Sequence, residues 1–196
     1  MRIGCLFGSF DPPHNGHVAI ADHMRAAQGL DEVWLIVTPQ NPFKKERPLT
    51  PDHHRLAMVR LAVQGHEGLV AAGFEIDLPK PSFTVDSLRF MRHRWPDHVF
   101  DLIIGSDNLA GFHGWKEPDA ILENHRLLVY PRTGLKDHLD STIYRGHPGV
   151  RVVADAPLTA ISSTAIREGL KAWSTVDDQL PKAVLQYIRE HRLYTS

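Results

Sequence analysis

Short apolar runs alternate along the chain with stretches in which apolar residues recur every three or four positions. Ile3 to Phe7, Val33 to Thr38, Leu69 to Ile76, Val99 to Ile104, Leu127 to Tyr130 and Val150 to Val153 are the runs, and each predicts a β-strand. Val18 to Ala27, His54 to Val63, Val85 to Arg94 and a short stretch around Ile121 and Leu122 carry the three-to-four spacing that predicts helices. Strands that are apolar on both sides and alternate with helices require a parallel sheet covered on both faces, because each crossover lays a helix over one face. The predicted fold class is α/β, a doubly wound parallel sheet.

After the last run the pattern changes to two helical segments in succession, Ser163 to Lys171 and Pro181 to Arg192. Pro181 suits the first helical position of the second, and Ala183, Val184, Tyr187 and Ile188 make its apolar face. These predict a C-terminal helical cap, in the part from 161 to 196. No Gly/Ser linker and no 20-to-50-residue repeat divides the chain, so one domain over 1–196 is expected. The Pro-containing loops Thr38 to Pro51 and Pro79 to Ser82 have the length of active-site loops.

Composition narrows the function classes. The 196 residues are 42% hydrophobic and 23% charged, and 22 Lys+Arg against 23 Asp+Glu give a net charge of -1. A globular protein without a nucleic-acid-binding surface or membrane span is expected. One cysteine makes no internal disulfide, and the apolar stretch ending at Phe7 is too short for a secretory segment, so a cytoplasmic location is expected. There are 13 histidines, but the close pairs His14/His17 and His53/His54 have no Cys or carboxylate at ligand spacing, so no protein-ligated metal is expected. Homo-oligomerisation is left open.

The segment Gly8-Ser9-Phe10-Asp11-Pro12-Pro13-His14-Asn15-Gly16-His17 leaves the first strand and opens the first helix. A polar, Gly-containing turn at the carboxyl end of an early strand is where open α/β sheets bind ligands, and the amides of the next helix hold phosphate oxygens. The segment matches neither the G-x-G-x-x-G fingerprint nor the P-loop, so other groups must meet the phosphate charge. His14 and His17, three residues apart, fall on one side of the chain as it enters the helix. Gly16 allows close backbone approach, and Ser9 offers a hydroxyl and an amide.

A second polar turn, Ile161-Ser162-Ser163-Thr164-Ala165-Ile166-Arg167, precedes a late helix. Ser162 or Ser163 serves as N-cap. Three consecutive hydroxyls with Arg167 four residues after Ser163 ask for more than a cap, because a cation near a helix N-terminus is disfavoured unless an anion lies between them. A triphosphate tail is such an anion.

Together these segments resemble the nucleotidyltransferases that carry an H-x-G-H motif after the first strand and an I-S-S-T-x-I-R motif before a late helix. Gly105-Ser106-Asp107-Asn108-Leu109, Trp115, Tyr130 to Gly134, Asn41-Pro42-Phe43-Lys44 and Ser82 to Leu88 add a resemblance to the bacterial nicotinate-nucleotide adenylyltransferases across essentially the whole chain. The resemblance implies a Rossmann-like fold and transfer of the adenylyl group of ATP to nicotinic acid mononucleotide, with release of pyrophosphate, in NAD biosynthesis.

It also implies roles. His14 and His17 contact the ATP phosphates; Gly8, Ser9 and Phe10 line the nucleotide pocket; Gly105 and Asp107 sit near the adenosine; Ser162, Ser163 and Arg167 hold the outer phosphates. Lys44, or Lys45 beside it, approaches from a loop. Trp115 stacks on the pyridine ring, backbone amides near Thr84 and Lys116 receive the carboxylate, and Asn41 and Arg132 complete the mononucleotide site. Mg2+ accompanies ATP as substrate. Two other acceptors, nicotinamide mononucleotide and a phosphopantetheine compound, and a non-catalytic ATP sensor are the alternative readings.

Overall fold

The first strand, β1 (Arg2–Gly8), carries apolar side chains on both faces and accordingly occupies the middle of the sheet, paired in parallel with β2 (Glu32–Val37) and β4 (Val99–Gly105). The computed structural model describes residues 1–39, 48–133, 135–158, 160–172 and 174–195. With β3 (Leu69–Ala72), β5 (Leu127–Tyr130) and β6 (Val150–Val152) the six parallel strands run in the order β3-β2-β1-β4-β5-β6. The order reverses between β1 and β4, which places a crevice at the carboxyl ends of those two strands.

Each strand sends alternate side chains to opposite faces. Leu128 and Tyr130 join one apolar cluster with Val18, Met24, Met58, Val59, Ile166, Val184 and Ile188; Leu127 and Val129 join the other with Leu88, Met91, Leu109 and Ile121. The first face is covered by α1 (Asn15–Gln28), α2 (Asp52–Val63), α7 (Ser163–Lys171) and α8 (Lys182–Glu190), the second by α3 (Thr84–Arg94), α4 (Ser106–Ala110) and α5 (Pro118–Asn124). A short α6 (Leu135–Asp140) lies against α4. The doubly wound prediction therefore holds, and α7 and α8 form the C-terminal helical part.

Four boundaries need correction. The run Leu69 to Ile76 is a strand only to Ala72; Phe74–Asp77 is a 3-10 turn whose Phe74 and Ile76 pack against the two clusters instead of extending the sheet. Pro181 is the N-cap of α8 and not its first residue, with ψ at 137°. The strand expected to Thr38 ends at Val37, and the one expected to Val153 ends at Val152.

Candidate active site

At the strand-order reversal lies a cleft of about 140 Å3 whose walls include Gly8, Ser9, Thr38, Thr84, Gly105, Trp115, Lys116 and Tyr130. Six residues expected in two different subsites thus share one cavity. Gly8 is needed for shape: a Cβ there would come within 2.9 Å of the Phe10 ring, which is itself buried and held at φ 46°. At Gly105 the Asp107 carboxylate and the Arg132 side chain fold over the space a side chain would take. Arg132 Nε lies 3.8 Å from Asp107, and its backbone N–H donates to Ser106 Oγ at 3.0 Å.

The two imidazoles meet. His14 is the N-cap of α1, and its ring stacks on that of His17 with centroids 3.7 Å apart; His17 in turn meets the edge of Phe10 at 5.0 Å. The backbone N–H of His14 donates to His17 Nδ1 at 3.2 Å, so a neutral His17 carries its proton on Nε2. Burial, with a smaller push from the Arg132 charge, lowers the His14 pKa to about 4. His14 is therefore a neutral hydrogen-bonding group near pH 7, and its buried Nδ1 has no hydrogen-bond partner among the described residues.

The late turn docks on the first one. Ser163 Oγ donates to the Pro12 carbonyl at 2.9 Å, and Arg167 Nη1 donates to the Asp11 carbonyl at 2.6 Å. Asn15 reaches the Asp178 carbonyl at 2.9 Å, and the Tyr194 hydroxyl donates to Asp11 Oδ1 at 2.6 Å. Ser162 is the N-cap of α7, its Oγ accepting from Ala165 N at 3.1 Å. Both serine hydroxyls thus have structural partners, which leaves the Ser163 and Thr164 amides as the first-turn donors without an intrahelical acceptor.

Thr84, in the cleft wall, is the first residue of α3, so its N–H also lacks an intrahelical acceptor. Trp115 lines the cleft while its ring packs against Phe112 with centroids 5.2 Å apart, so one face of the cleft is backed by the core. The Lys116 side chain is tied to Asp86 at 2.8 Å and lies over the Phe83 ring at 4.9 Å. Cys5 is fully buried and burial raises its thiol pKa well above the usual value, which keeps it a core thiol.

Sequence reasoning missed several residues around this site. Arg55 is wholly buried behind the cleft and reaches the carbonyls of Ser9 and Thr38. Glu75 and Ser82, both buried, line the cleft beside Thr84. His138 of α6 bonds to Ser106 Oγ at 2.9 Å, linking a surface helix to the Arg132 backbone through one hydroxyl. Only Arg55 left a signal in the sequence: it stands three, four and seven residues before Met58, Val59 and Ala62, on the apolar face of its helix.

Asn41, Lys44 and Lys45 lie outside the described residues. Among the described residues no three His, Cys, Asp or Glu side chains are grouped so as to hold a metal ion, and no helix is long and apolar enough to cross a membrane.

The cytidylyltransferase-like family model matches residues 5–169. A relative from Flavobacterium johnsoniae, named probable nicotinate-nucleotide adenylyltransferase, is 41% identical over 99% of both chains. A relative of the same name from Bacillus pumilus is 35% identical over 100% of this chain and 99% of its own. The solved structure of Plasmodium falciparum nicotinic acid mononucleotide adenylyltransferase complexed with NaAD shares the fold, with a TM-score of 0.79 at 19% identity, covering 98% of this chain and 97% of that one. The chain belongs to the cytidylyltransferase-like family, and within it to the nicotinate-nucleotide adenylyltransferases.

Proposed function

We propose that this protein transfers the adenylyl group of ATP to nicotinic acid mononucleotide. The observation that carries the reading is the docking of the Ser162-to-Arg167 turn onto the carbonyls of Asp11 and Pro12, beside the stacked His14 and His17. Donors from two distant parts of the chain then surround one polyphosphate. The relatives' names and the NaAD complex of the Plasmodium protein support the same substrate class.

In this mechanism an oxygen of the mononucleotide phosphate attacks the α-phosphorus of ATP. The bond from that phosphorus to the bridging oxygen breaks, and pyrophosphate leaves. The attacking phosphate is mostly dianionic at neutral pH, so no general base is required. Rate enhancement comes from alignment and from donors aimed at charge that develops in the transition state. His17 Nε2–H is the donor assigned to the α-phosphate, with neutral His14 beside it. Arg167 and the Ser163 and Thr164 amides receive the outer phosphates, the Ser162 and Ser163 hydroxyls holding that turn in place. Gly8, Ser9, Phe10, Gly105 and Asp107 enclose the adenosine.

Mg2+ belongs to the proposal as the counter-ion of ATP. The donors at the two turns are imidazole, guanidinium and amide groups, which suit phosphate oxygens and form no metal cage among the described residues. When bound, the ion would offset polyphosphate charge; no protein ligand is assigned to it. Lys44 and Asn41 retain their proposed roles toward phosphate and mononucleotide. Because ATP is the donor substrate, a cytoplasmic site of action is part of the reading.

For the acceptor, the Thr84 N–H at the start of α3 and the Lys116 N–H would meet the pyridine carboxylate, Trp115 would stack on the ring, and Arg132 would approach the phosphate. Two N–H donors facing one group favour an acid over an amide, whose NH2 needs an acceptor. Pyrophosphate release should therefore be measured with ATP and each mononucleotide. Release with the acid form and far less with the amide form is expected; no release with the acid form defeats the reading.

A further inference from the structure

Arg55 is the largest fully buried side chain among the described residues, and it stands in the first turn of α2, where the helix dipole opposes a cation. An apolar residue would pack at this position with Met58, Val59 and Ala62 and carry no desolvation penalty. What the guanidinium adds is a set of directed donors in a rigid plane. Nη1 donates to the carbonyls of Ser9 at 2.6 Å and Thr38 at 2.8 Å, Nε to Thr50 at 2.9 Å, and Nη2 to Pro39 at 3.4 Å and to the Asp52 carboxylate. Asp52 is shared with Lys80 at 3.4 Å.

One buried cation thus ties the exit of β1 to the exit of β2, and both Ser9 and Thr38 are cleft walls. In a trans peptide the C=O and N–H point to opposite sides. Fixing the Ser9 carbonyl on the Arg55 side therefore turns the N–H of Phe10 away from Arg55. Phe10 sits at φ 46°, a conformation that a bulky side chain adopts only where its surroundings over-determine it. Its ring is held by Gly8 and His17 and its leading peptide by Arg55.

We propose that Arg55 is a positioning residue for the nucleotide: by holding the Ser9 carbonyl it presents the Phe10 N–H to bound ATP. The proposal rests on the adenylyl-transfer reading. Steady-state kinetics and thermal unfolding of wild type and Arg55→Lys, assayed well below either Tm, test it. The KM for ATP is expected to rise about tenfold while that for the mononucleotide changes less than about threefold. A lower Tm with both KM values and kcat unchanged per folded molecule would overturn it.

If the variant does not fold, the wild-type protein still decides. Amide exchange at Phe10 is followed with and without a non-hydrolysable ATP analogue, whose binding is read separately by calorimetry. Slower exchange with the analogue supports the proposal. Bound analogue with unchanged exchange overturns the role of Arg55 alone, whereas no analogue binding overturns the adenylyl-transfer reading itself.

Discussion

The Tyr194 hydroxyl donates to Asp11 Oδ1 at 2.6 Å, across a sequence separation of 183 residues. Burial, reinforced by the Asp11 charge, raises the Tyr194 pKa, so the hydroxyl stays a donor throughout the working range. It braces the same turn that Arg167 and Ser163 grip from α7. Tyr194→Phe removes one hydrogen bond to a charged group, which contributes about 1.5–3 kcal/mol, and should lower Tm by about 5 °C in a chain of this size. A thermal melt checks this; an unchanged Tm would show that the brace contributes nothing.

His14 makes stability fall with acid in a defined window. Its pKa drops from the ordinary histidine value of 6.5 to about 4 in the fold. The unfolded chain takes up a proton near 6.5 that the folded protein refuses until about 4, so this contribution is complete above 6.5 and is lost as pH falls. The loss between pH 7 and pH 5 is roughly 2 kcal/mol. Urea unfolding at both pH values should show a pH dependence smaller by about that amount in His14→Gln than in wild type.

Thr84→Pro separates the amide from the fold. Proline is well tolerated at the first position of a helix, and the preceding Phe83 is already extended at ψ 133°, as proline requires. The substitution deletes the N–H assigned to the pyridine carboxylate. The KM for nicotinic acid mononucleotide should rise about tenfold, as expected for one charge-assisted hydrogen bond, with Tm nearly unchanged.

His17→Ala removes the donor assigned to the α-phosphate. Its kcat should fall about 100- to 1000-fold, the usual cost of one transition-state donor, with a smaller change in the KM for ATP. Initial rates of pyrophosphate release measure both. An unchanged kcat would leave the imidazole without a part in the transition state.

Much of this site was legible because its signals are local. The three-residue spacing of His14 and His17 translated directly into stacked rings, and the serines before Arg167 into a capped helix start. β5 ran from Leu127 to Tyr130 as expected because every residue there is buried. Leu69 to Ile76 misled because apolarity alone does not separate a strand from a turn that covers its end: Phe74 and Ile76 are partly buried against the two clusters without pairing to a neighbour. α4 and α6, of 5 and 6 residues, are too short for a period to emerge. The Ser106–His138 contact spans 32 positions with no local pattern to announce it. Arg55 was readable as a cation on an apolar helix face, but its carbonyl partners exist only in three dimensions.

In the proposed function two distant turns grip one polyphosphate so that its adenylyl group moves to a mononucleotide. Phosphorus NMR of the purified protein with ATP, Mg2+ and nicotinic acid mononucleotide tests this directly. A dinucleotide pyrophosphate signal and free pyrophosphate are expected to grow together in equal amounts. ATP left intact, or consumed to ADP and phosphate with no dinucleotide signal, would contradict it.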